Sequence, residues 1–278
     1  MIMKKLKRSA RLVEMTHYLL TRPHVLVPLT TFAERYNSAK SSISEDLAII
    51  KNVFESENFG ELQTYSGAAG GVKYIPKLSK EKSLSFIRTI CHELEQPGRI
   101  LPGGYLYMSD LLGRPEVLQQ IGYIFATSFA ERDFDVIMTV ETKGIPLAYA
   151  TASYLNLPVV IVRQDNKVTE GSAVSMNYVS GSNKQIRTMS LSRRALKEES
   201  RVLIVDDFMR MGGTIRGMMN LLNEFRATVK GICVFVESGE VVDRLVDNYI
   251  SLARLSGVDS GKARVTPGNY FDTENFDH

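Results

Sequence analysis

Apolar residues recur at helical spacing in three segments near the start of the chain. These segments are Arg8–Leu20, Leu29–Tyr36 and Ala39–Phe54. Side chains three or four positions apart share one face of a helix, so each segment is predicted to be an amphipathic helix. Only the short turn Asn37-Ser38 separates the second segment from the third, which predicts a helix-turn-helix.

Two short strand-like runs follow the third predicted helix, Leu62–Tyr65 and Val72–Ile75. The stretch between them, Ser66-Gly-Ala-Ala-Gly-Gly71, is rich in turn-forming residues and favours a hairpin. Three helices followed by a hairpin form the winged-helix arrangement. We therefore expect residues 1–77 to form a winged-helix domain.

From residue 78 onward, short apolar strands alternate with helical segments. The predicted strands are Val136–Val140, Val159–Val162, Val202–Val205 and Gly231–Val236, and the predicted helices are Lys80–Leu94, Ile145–Leu155 and Gly213–Phe225. This alternation predicts an α/β fold with a mostly parallel sheet covered on both faces. We expect one such domain over residues 78–278, with its ligand at the carboxyl ends of the strands.

Positive charge is concentrated in the first predicted domain. The chain has 34 Lys and Arg against 31 Asp and Glu, a net charge of +3. Residues 1–77 hold 11 basic and 7 acidic residues, whereas residues 78–278 hold 23 and 24. A small basic module favours a polyanionic partner, although charge alone leaves solvated lysines open as an alternative.

The first domain carries polar side chains suited to double-stranded DNA. A recognition helix enters the major groove by its N-terminus, where short polar side chains reach base edges and phosphates. A serine-rich helix start alone would also fit an ordinary helix, but the hairpin and the basic residues favour DNA binding. The candidate contacts are Ser38, Lys40, Ser41, Ser42 and Ser44 on the third helix, Lys5, Lys7, Arg8 and Arg11 by the first, and Lys73 on the wing.

The segment Asp206-Asp-Phe-Met-Arg-Met-Gly-Gly-Thr214 follows a predicted buried strand and opens a predicted helix. Two adjacent carboxylates suit ribose hydroxyls and, through a divalent cation, a pyrophosphate. Glycines let backbone N–H groups approach a phosphate, and a helix N-terminus favours its negative charge. The Gly-Lys-Ser/Thr of a Walker motif is missing. An ordinary strand-turn-helix explains the glycines but not both carboxylates, so this segment predicts a phosphate site.

This segment resembles the phosphoribosyl pyrophosphate signature of the type I phosphoribosyltransferases. Glu141-Thr-Lys-Gly-Ile145 resembles their pyrophosphate loop, and the polar stretch from Val162 to Arg187 resembles the flexible loop that closes over the ligand. The resemblance implies that phosphoribosyl pyrophosphate is bound by Asp206, Asp207, Phe208, Met209, Arg210, Met211, Gly212, Gly213 and Thr214, by Thr142, Lys143 and Gly144, and by Tyr105 and Tyr178. Core packing is the alternative for Tyr105, and a solvated loop position is the alternative for Tyr178.

The signature departs from that of the enzymes at two positions. Arg210 and Met211 stand where the enzymes nearest this branch usually carry Ala and Thr. Arg210 would bring a bulky cation towards the place of the nucleobase and the reacting carbon, while Met211 removes a hydroxyl from the phosphate loop. Phosphate binding therefore remains expected, and transfer chemistry is placed in doubt.

The whole combination resembles the purine operon repressors of Gram-positive bacteria. The segments that carry the resemblance are Ala39–Asp46, Gly67–Gly71, Pro102–Asp110 and Asp206–Thr214. It implies a homodimer that binds operator DNA, represses genes of purine biosynthesis and transport, and loosens its grip when phosphoribosyl pyrophosphate accumulates. It also implies guanosine tetraphosphate as a competing effector. The alternative is an active purine phosphoribosyltransferase with an N-terminal basic extension.

The sequence also predicts what the protein does without. It has no apolar run of about 20 residues and no signal-peptide pattern at its start, so a cytoplasmic protein with no membrane partner is expected. Cys91 and Cys233 lack any metal-ligand spacing and are expected to be buried thiols. We expect no required cofactor, no protein metal site and no catalytic residue, and Mg²⁺ would arrive only with the effector.

Overall fold

The computed structural model describes residues 6–67, 70–164, 171–179, 186–239, 241, 243–259 and 262–272. The chain divides into two compact units. Unit 1 comprises Met1–Ser79 with two short segments, Ala126–Ala130 and Tyr154–Asn156, and unit 2 comprises the remainder. The domain limits 1–77 and 78–278 stay predictions, since no single cut in the sequence separates these units.

Unit 1 has three helices and a hairpin, which confirms the predicted winged helix. The elements are α1 (Arg8–Leu20), α2 (Leu29–Tyr36), α3 (Lys40–Glu57), β1 (Glu61–Tyr65) and β2 (Gly71–Ile75). The two strands are antiparallel, with Leu62 opposite Tyr74. Val27, which precedes α2, adds an antiparallel bridge to Val72 on the outer side of the hairpin.

The core of unit 1 is built from one face of each helix. On α3, Ile43, Leu47, Ile50 and Phe54 are buried. Val53, another apolar residue of the predicted helix Ala39–Phe54, does not join them, and its side chain is 45% exposed. Each residue turns a helix by about 100°, so the neighbour of a core residue points well away from the core.

Unit 2 begins with α4 and ends with a short 3₁₀ helix. Its elements are α4 (Lys80–Leu94), β3 (Ile100–Leu101), β4 (Tyr105–Leu106), α5 (Pro115–Ser128), β5 (Val136–Val140), α6 (Gly144–Leu155), β6 (Val159–Val162), β7 (Ala173–Val179), β8 (Ile186–Ser192), β9 (Arg201–Met209), α7 (Gly213–Asn223), β10 (Thr228–Ser238), β11 (Ile250–Asp259), β12 (Lys262–Pro267) and the 3₁₀ helix Asn269–Phe271.

Six strands form the main sheet, in the order β12-β11-β10-β9-β5-β6. The five from β11 to β6 are parallel, and only β12 runs antiparallel at one edge. This confirms the mostly parallel sheet. The chain leaves β5 towards β6 on one side and leaves β9 towards β10 on the other. Such a switch point opens a crevice at the carboxyl ends of the two central strands, where α/β proteins bind ligands.

The strand predicted as Val202–Val205 continues to Met209. Pairing with β10 explains this extension, because Asp206 lies opposite Val234 and Phe208 opposite Val236. The two carboxylates are therefore part of the strand and do not lie in the turn after it. The sequence pattern missed this because polar residues rarely occupy a central buried strand.

The polar stretch from Val162 to Arg187 is not one long loop. Residues 165–170 and 180–185 lie outside the described part, but β7 and β8 between and after them form an antiparallel hairpin. Alternate side chains of the hairpin, among them Val174, Tyr178 and Met189, join the core under α7. The apolar positions repeat every second residue, a pattern that the polar residues between them obscured.

No helix in the described ranges is both long enough and apolar enough to cross a bilayer. Both cysteines are free thiols and are buried, as predicted.

Candidate functional site

A cavity of about 790 Å³ opens at the carboxyl ends of the parallel strands of unit 2. This volume lies within the range of small-molecule sites, roughly 300–1,000 Å³. Its wall includes the whole segment Asp206–Thr214, together with Glu141, Lys143, Tyr105 and Tyr178. The predicted phosphate segment and the predicted pyrophosphate loop therefore face one space.

The buried Asp206 and the half-buried Asp207 form an acidic pair in this wall. Asp206 is 3% exposed, and its Oδ1 accepts the backbone N–H of Asp207 at 3.0 Å. Burial, followed by the charge of Asp207, raises the pKa of Asp206 well above its ordinary value. Burial also raises the pKa of Asp207, against the opposing effect of the nearby Lys143 ammonium. Such a pair favours a ligand that brings hydroxyl donors or a cation.

The turn from β9 into α7 exposes backbone donors. Gly212 has φ = +87° and is the N-cap of α7, whose first residues are Gly213 and Thr214. An L side chain rarely adopts that φ, and an added Cβ would lie 2.9 Å from Val246 Cγ2. The first N–H groups of a helix have no partner within the helix, so this turn is suited to a phosphate.

The loop after β5 approaches the acidic pair from the neighbouring strand. A Cβ at Gly144 would lie 2.2 Å from Thr139 Oγ1 and 3.5 Å from Asp206 Oδ1, so only glycine allows α6 to begin this close. Glu141 braces the loop by accepting the Gln164 N–H at 2.6 Å. The exposed Lys143 supplies the positive charge in this part of the wall.

The predicted ligand residues are placed unevenly. Lys143 and the nine residues Asp206–Thr214 line the cavity, whereas Thr142 and Gly144 flank it without forming its wall. Tyr105 lines the cavity and is half exposed, which disfavours a core role. Tyr178 also lines the cavity, but it is a buried strand residue and not a mobile loop residue, so the expectation of a solvated loop or closing loop position was wrong.

Several residues of the wall were not among the predicted contacts, notably Gln164, Arg187 and Ser238, although Gln164 and Arg187 belong to the stretch compared with the flexible loop. Ser238 ends β10, and Gln164 lies just beyond β6. The rule that ligands lie at carboxyl ends of parallel strands could have found both. Arg187 gave no such signal, because its place in the wall depends on the β7–β8 hairpin.

The candidate DNA contacts gather at the start of α3. Lys40, Ser41 and Ser44 are exposed and Ser42 is half-buried. The N-cap is Ala39, and no side chain within the described residues caps this end of α3. Its first N–H groups are thus available to phosphate oxygens.

Arg8 and Arg11 of α1 reach α3 through one carboxylate. Asp46 is fully buried and forms ion pairs with the Nε of both arginines, at 3.0 Å in the case of Arg8. Arg11 also donates to Ser38 Oγ at 3.3 Å, and Ser38 donates to the Tyr36 carbonyl. Arg11 and Ser38 are therefore engaged within unit 1, while Arg8 remains half exposed.

The remaining candidate DNA contacts belong to the residues before α1 and to the wing. Lys7 is exposed just before α1. The half-buried Lys73 lies on β2 with its Nζ 4.9 Å from the centre of the Tyr65 ring. Lys5 lies outside the described residues.

Two known families match successive parts of the chain, and the break between them contains Ser79, where the main segment of unit 1 ends. Residues 7–76 match the family described as bacterial purine repressor, N-terminal, and residues 108–256 match the phosphoribosyl transferase domain. An adenine phosphoribosyltransferase from Thermoanaerobacter pseudethanolicus has a similar structure. Its TM-score is 0.53 at 22% identity, and the match covers 60% of this chain and 98% of that one. This likeness supports the fold of unit 2.

Curated relatives from several bacteria match most of the chain. The purine biosynthesis transcriptional repressor PurR of Bacillus subtilis is 63% identical over 91% of this chain and 89% of its own. A probable purine biosynthesis transcriptional regulator of Streptococcus pneumoniae is 48% identical, covering 97% and 99%. The purine biosynthesis transcriptional activator of Lactococcus lactis is 44% identical, covering 96% and 99%. The matches to these relatives extend over both the repressor N-terminal domain and the phosphoribosyltransferase-like unit. The chain therefore belongs to the family of bacterial purine repressors.

Proposed function

We propose that this protein is a transcriptional repressor of purine biosynthesis and transport genes that binds double-stranded operator DNA through unit 1. The exposed, uncapped start of α3, with Lys40, Ser41 and Ser44, is the observation that carries the DNA-binding part. Repression is proposed because the relative with 63% identity is named a repressor, whereas the relative named an activator is 44% identical.

The cavity of unit 2 is proposed as the effector site, with phosphoribosyl pyrophosphate as its ligand. The Gly212–Thr214 turn would hold the 5′-phosphate, and Lys143 of the predicted pyrophosphate loop would meet the pyrophosphate. Asp206 and Asp207 would accept hydrogen bonds from the ribose hydroxyls. Within the described ranges, no group of three or more His, Cys, Asp or Glu side chains could hold a metal ion. Mg²⁺ is therefore proposed to enter with the pyrophosphate.

Guanosine tetraphosphate is proposed as a competing effector. Lys143, Arg187 and Arg210 give the wall three cationic side chains, which suits a ligand with phosphates at more than one position. Competition is tested by displacing labelled phosphoribosyl pyrophosphate with the alarmone. Unchanged binding of the label at saturating alarmone would contradict a shared site.

The central experiment is a gel-shift titration on DNA from a purine-operon promoter, with and without phosphoribosyl pyrophosphate and Mg²⁺. We expect specific binding that weakens when the effector is added. Operator affinity that stays the same at saturating effector would contradict the sensor role. In vitro transcription from the same promoter decides the direction of regulation, and an increase in transcript would contradict repression.

An active purine phosphoribosyltransferase is the second candidate function, because the acidic pair and the glycine turn of the enzyme signature are intact. The exposed Arg210 in the cavity wall opposes it, since the resemblance implies that this bulky cation would lie towards the place of the nucleobase. We propose that the protein has no transferase activity. Conversion of guanine, hypoxanthine, xanthine or adenine to a nucleotide would establish the enzyme instead.

The functional form is proposed to be a homodimer, as the family resemblance implies. Sedimentation equilibrium on the free protein tests this, and a monomer at the concentrations that bind DNA would contradict it.

A further inference from the structure

A segment behind the phosphate turn contacts it directly. We call Asp243–Tyr249 the strap. Its Val246 is buried against Gly212, so closely that a Cβ on Gly212 would come within 2.9 Å of Val246 Cγ2. Its Leu245 donates a backbone hydrogen bond to the Met211 carbonyl at 2.8 Å. The strap therefore supports the turn, although none of its residues belongs to the signature segment Asp206–Thr214.

This hydrogen bond orients a donor of the turn. The carbonyl of Met211 and the N–H of Gly212 belong to one peptide group, which is planar and nearly always trans. In a trans peptide the C=O and N–H bonds point in opposite directions. Because Leu245 draws the Met211 oxygen towards the strap, the Gly212 N–H is turned away from the strap. Gly212 is part of the cavity wall, so the strap controls how this turn presents its backbone donor.

The strap is fastened at both of its ends to Glu237 near the end of β10. Arg244 donates through Nη2 to Glu237 Oε2 at 2.8 Å and to the Ser238 carbonyl. The Tyr249 hydroxyl donates to Glu237 Oε2 at 2.6 Å. Since Ser238 also lines the cavity, the fastening point and the ligand wall belong to adjacent residues.

Glu237 is built to remain charged although it is 1% exposed. Its other oxygen accepts hydrogen bonds from Ser251 at 2.8 Å and from Arg254 at 2.9 Å. Burial alone would raise the pKa of Glu237, but the hydrogen bonds from Tyr249, Ser251 and Arg254 and the charge of Arg244 hold it below its ordinary value. Such a fully bonded carboxylate makes a rigid anchor.

We propose that Arg244, anchored by Glu237, is a positioning residue that holds the Met211–Thr214 turn in the geometry that binds a phosphate or pyrophosphate group. Arg244 acts through the strap and is not itself a ligand contact. The proposal rests on the proposed effector site in so far as the ligand is phosphoribosyl pyrophosphate. The orientation of the turn can also be tested without any ligand.

The test compares full-length wild-type protein with three variants. Arg244→Ala removes the fastening, and Arg244→Lys keeps one cationic donor. Arg201→Ala is the matched control, because Arg201 forms an ion pair with Asp135 at 3.0 Å at the opposite end of β9, away from the cavity wall. Two readouts are taken: affinity for phosphoribosyl pyrophosphate with Mg²⁺ by calorimetry, and hydrogen–deuterium exchange of the Leu245 amide, which donates to the Met211 carbonyl, in ligand-free protein.

We expect Arg244→Ala to weaken effector binding on the order of tenfold, the lower end of the effect that residues orienting metal ligands have on metal affinity. Exchange at the Leu245 amide should rise in the same variant, because its hydrogen bond to Met211 is loosened. Arg244→Lys should recover most of the affinity, and Arg201→Ala should change neither readout. Faster exchange in Arg244→Ala, with no change in Arg201→Ala, supports the positioning role whether or not the wild-type protein binds phosphoribosyl pyrophosphate. Failure of the wild-type protein to bind phosphoribosyl pyrophosphate would contradict the proposed effector and not the positioning role.

Two results would overturn the proposal. The first is wild-type exchange at the Leu245 amide in Arg244→Ala, since Arg244 would then not be needed to hold the strap against the turn. The second is equal loss of affinity and equal gain of exchange in Arg244→Ala and Arg201→Ala, which would show that any lost ion pair loosens unit 2. Thermal unfolding of each variant establishes that the protein compared is folded.

Discussion

At the scale of single residues, the acidic pair of unit 2 is held in an environment that disfavours its charge. Asp206 is enclosed by the central strands of the sheet, and burial and the charge of Asp207 raise its pKa. When folding raises the pKa of an acid, ionising that acid at higher pH lowers the stability of the folded state. The pair therefore serves ligand recognition at the expense of stability, as binding sites often do.

Replacing Asp206 with Asn separates the effect of this side chain on stability from its effect on ligand recognition. The folded-state pKa of Asp206 lies above the unfolded value of about 3.9. The contribution of a protonated Asp206 to stability is thus present below pH 4 and is lost as pH rises through the folded-state pKa. Below pH 4, Asp206→Asn should have the same unfolding temperature as wild type. At pH 7 it should unfold at a temperature a few degrees higher, which corresponds to about 1 kcal/mol in the free energy of unfolding for a domain of this size. Thermal unfolding across pH measures this.

The same variant should lose its response to phosphoribosyl pyrophosphate while it keeps its affinity for operator DNA. The neutral amide can no longer serve as a carboxylate acceptor for ribose hydroxyls. Gel shifts with and without effector check this, and Asp207→Ala provides a second variant at the neighbouring position. A normal effector response in both variants would contradict the assignment of the cavity.

Asp46 is the corresponding buried carboxylate of unit 1, paired with Arg8 and Arg11. Asp46→Ala leaves Arg11, whose side chain is 12% exposed, without its partner. Removing one member of a buried pair destabilises by about 3–5 kcal/mol, so we expect a loss of about that size in the unfolding of unit 1. Denaturant unfolding of unit 1, followed by a probe within it, measures the loss.

Glu45 is the matched control for this prediction. It is the neighbour of Asp46 on α3, is exposed, and approaches Arg8 only at 3.7 Å. Glu45→Ala should change stability by about 0.5 kcal/mol or less, because exposed pairs contribute little. Comparable losses in the two variants would show that burial of Asp46 is not the reason for its effect.

At the scale of elements, α3 has two ends with different tasks. Its start is exposed, has no acidic residue in its first turn, and carries Lys40. Its far half packs Ile50 and Phe54 into the core and pairs Lys51 with Glu55 at 3.7 Å. Only the start of α3 has the features of a DNA-contacting surface.

This difference predicts different results for two lysines of one helix. Lys40→Ala should weaken operator binding and reduce the salt dependence by about one counterion, as the loss of one phosphate contact does. Lys51→Ala should leave both unchanged. Fluorescence anisotropy over a series of salt concentrations measures affinity and slope. Equal slopes in wild type and Lys40→Ala would contradict a phosphate contact at Lys40.

At the scale of the whole molecule, the proposed function requires a coupling free energy between the effector site and the DNA-binding site. If bound phosphoribosyl pyrophosphate lowers operator affinity by some factor, operator DNA must lower effector affinity by the same factor. Calorimetry of effector binding with and without saturating operator should therefore return the factor that the gel shift gives. A factor seen from one side only would show that the effector acts on DNA binding by another route.

Much of this could be predicted because the patterns are local. The bounds of α1, α2, α4, β5 and β6 agree with prediction, since each follows from the spacing of apolar residues in its own segment. The signature from Asp206 to Thr214 is likewise contiguous in sequence. Its recognition led to the family, which the comparison with Bacillus subtilis PurR confirms.

Features that depend on distant contacts could not be predicted in this way. Arg187 reaches the cavity only because β7 pairs with β8 under α7, and the buried strand position of Tyr178 depends on the same pairing. The strap meets Gly212 from more than 30 residues along the chain, and no pattern in either segment shows it. Asp46 resembles an ordinary polar helix residue until two arginines of α1 enclose it.

The sequence alone determined the two kinds of fold, the family and the segment that faces the cavity, because hydrophobic periodicity and turn chemistry are properties of neighbouring residues. Tertiary structure decided which polar groups are buried, which of them are paired, and which backbone donors are turned towards a ligand. Those properties depend on elements from distant parts of the chain packing together and excluding water.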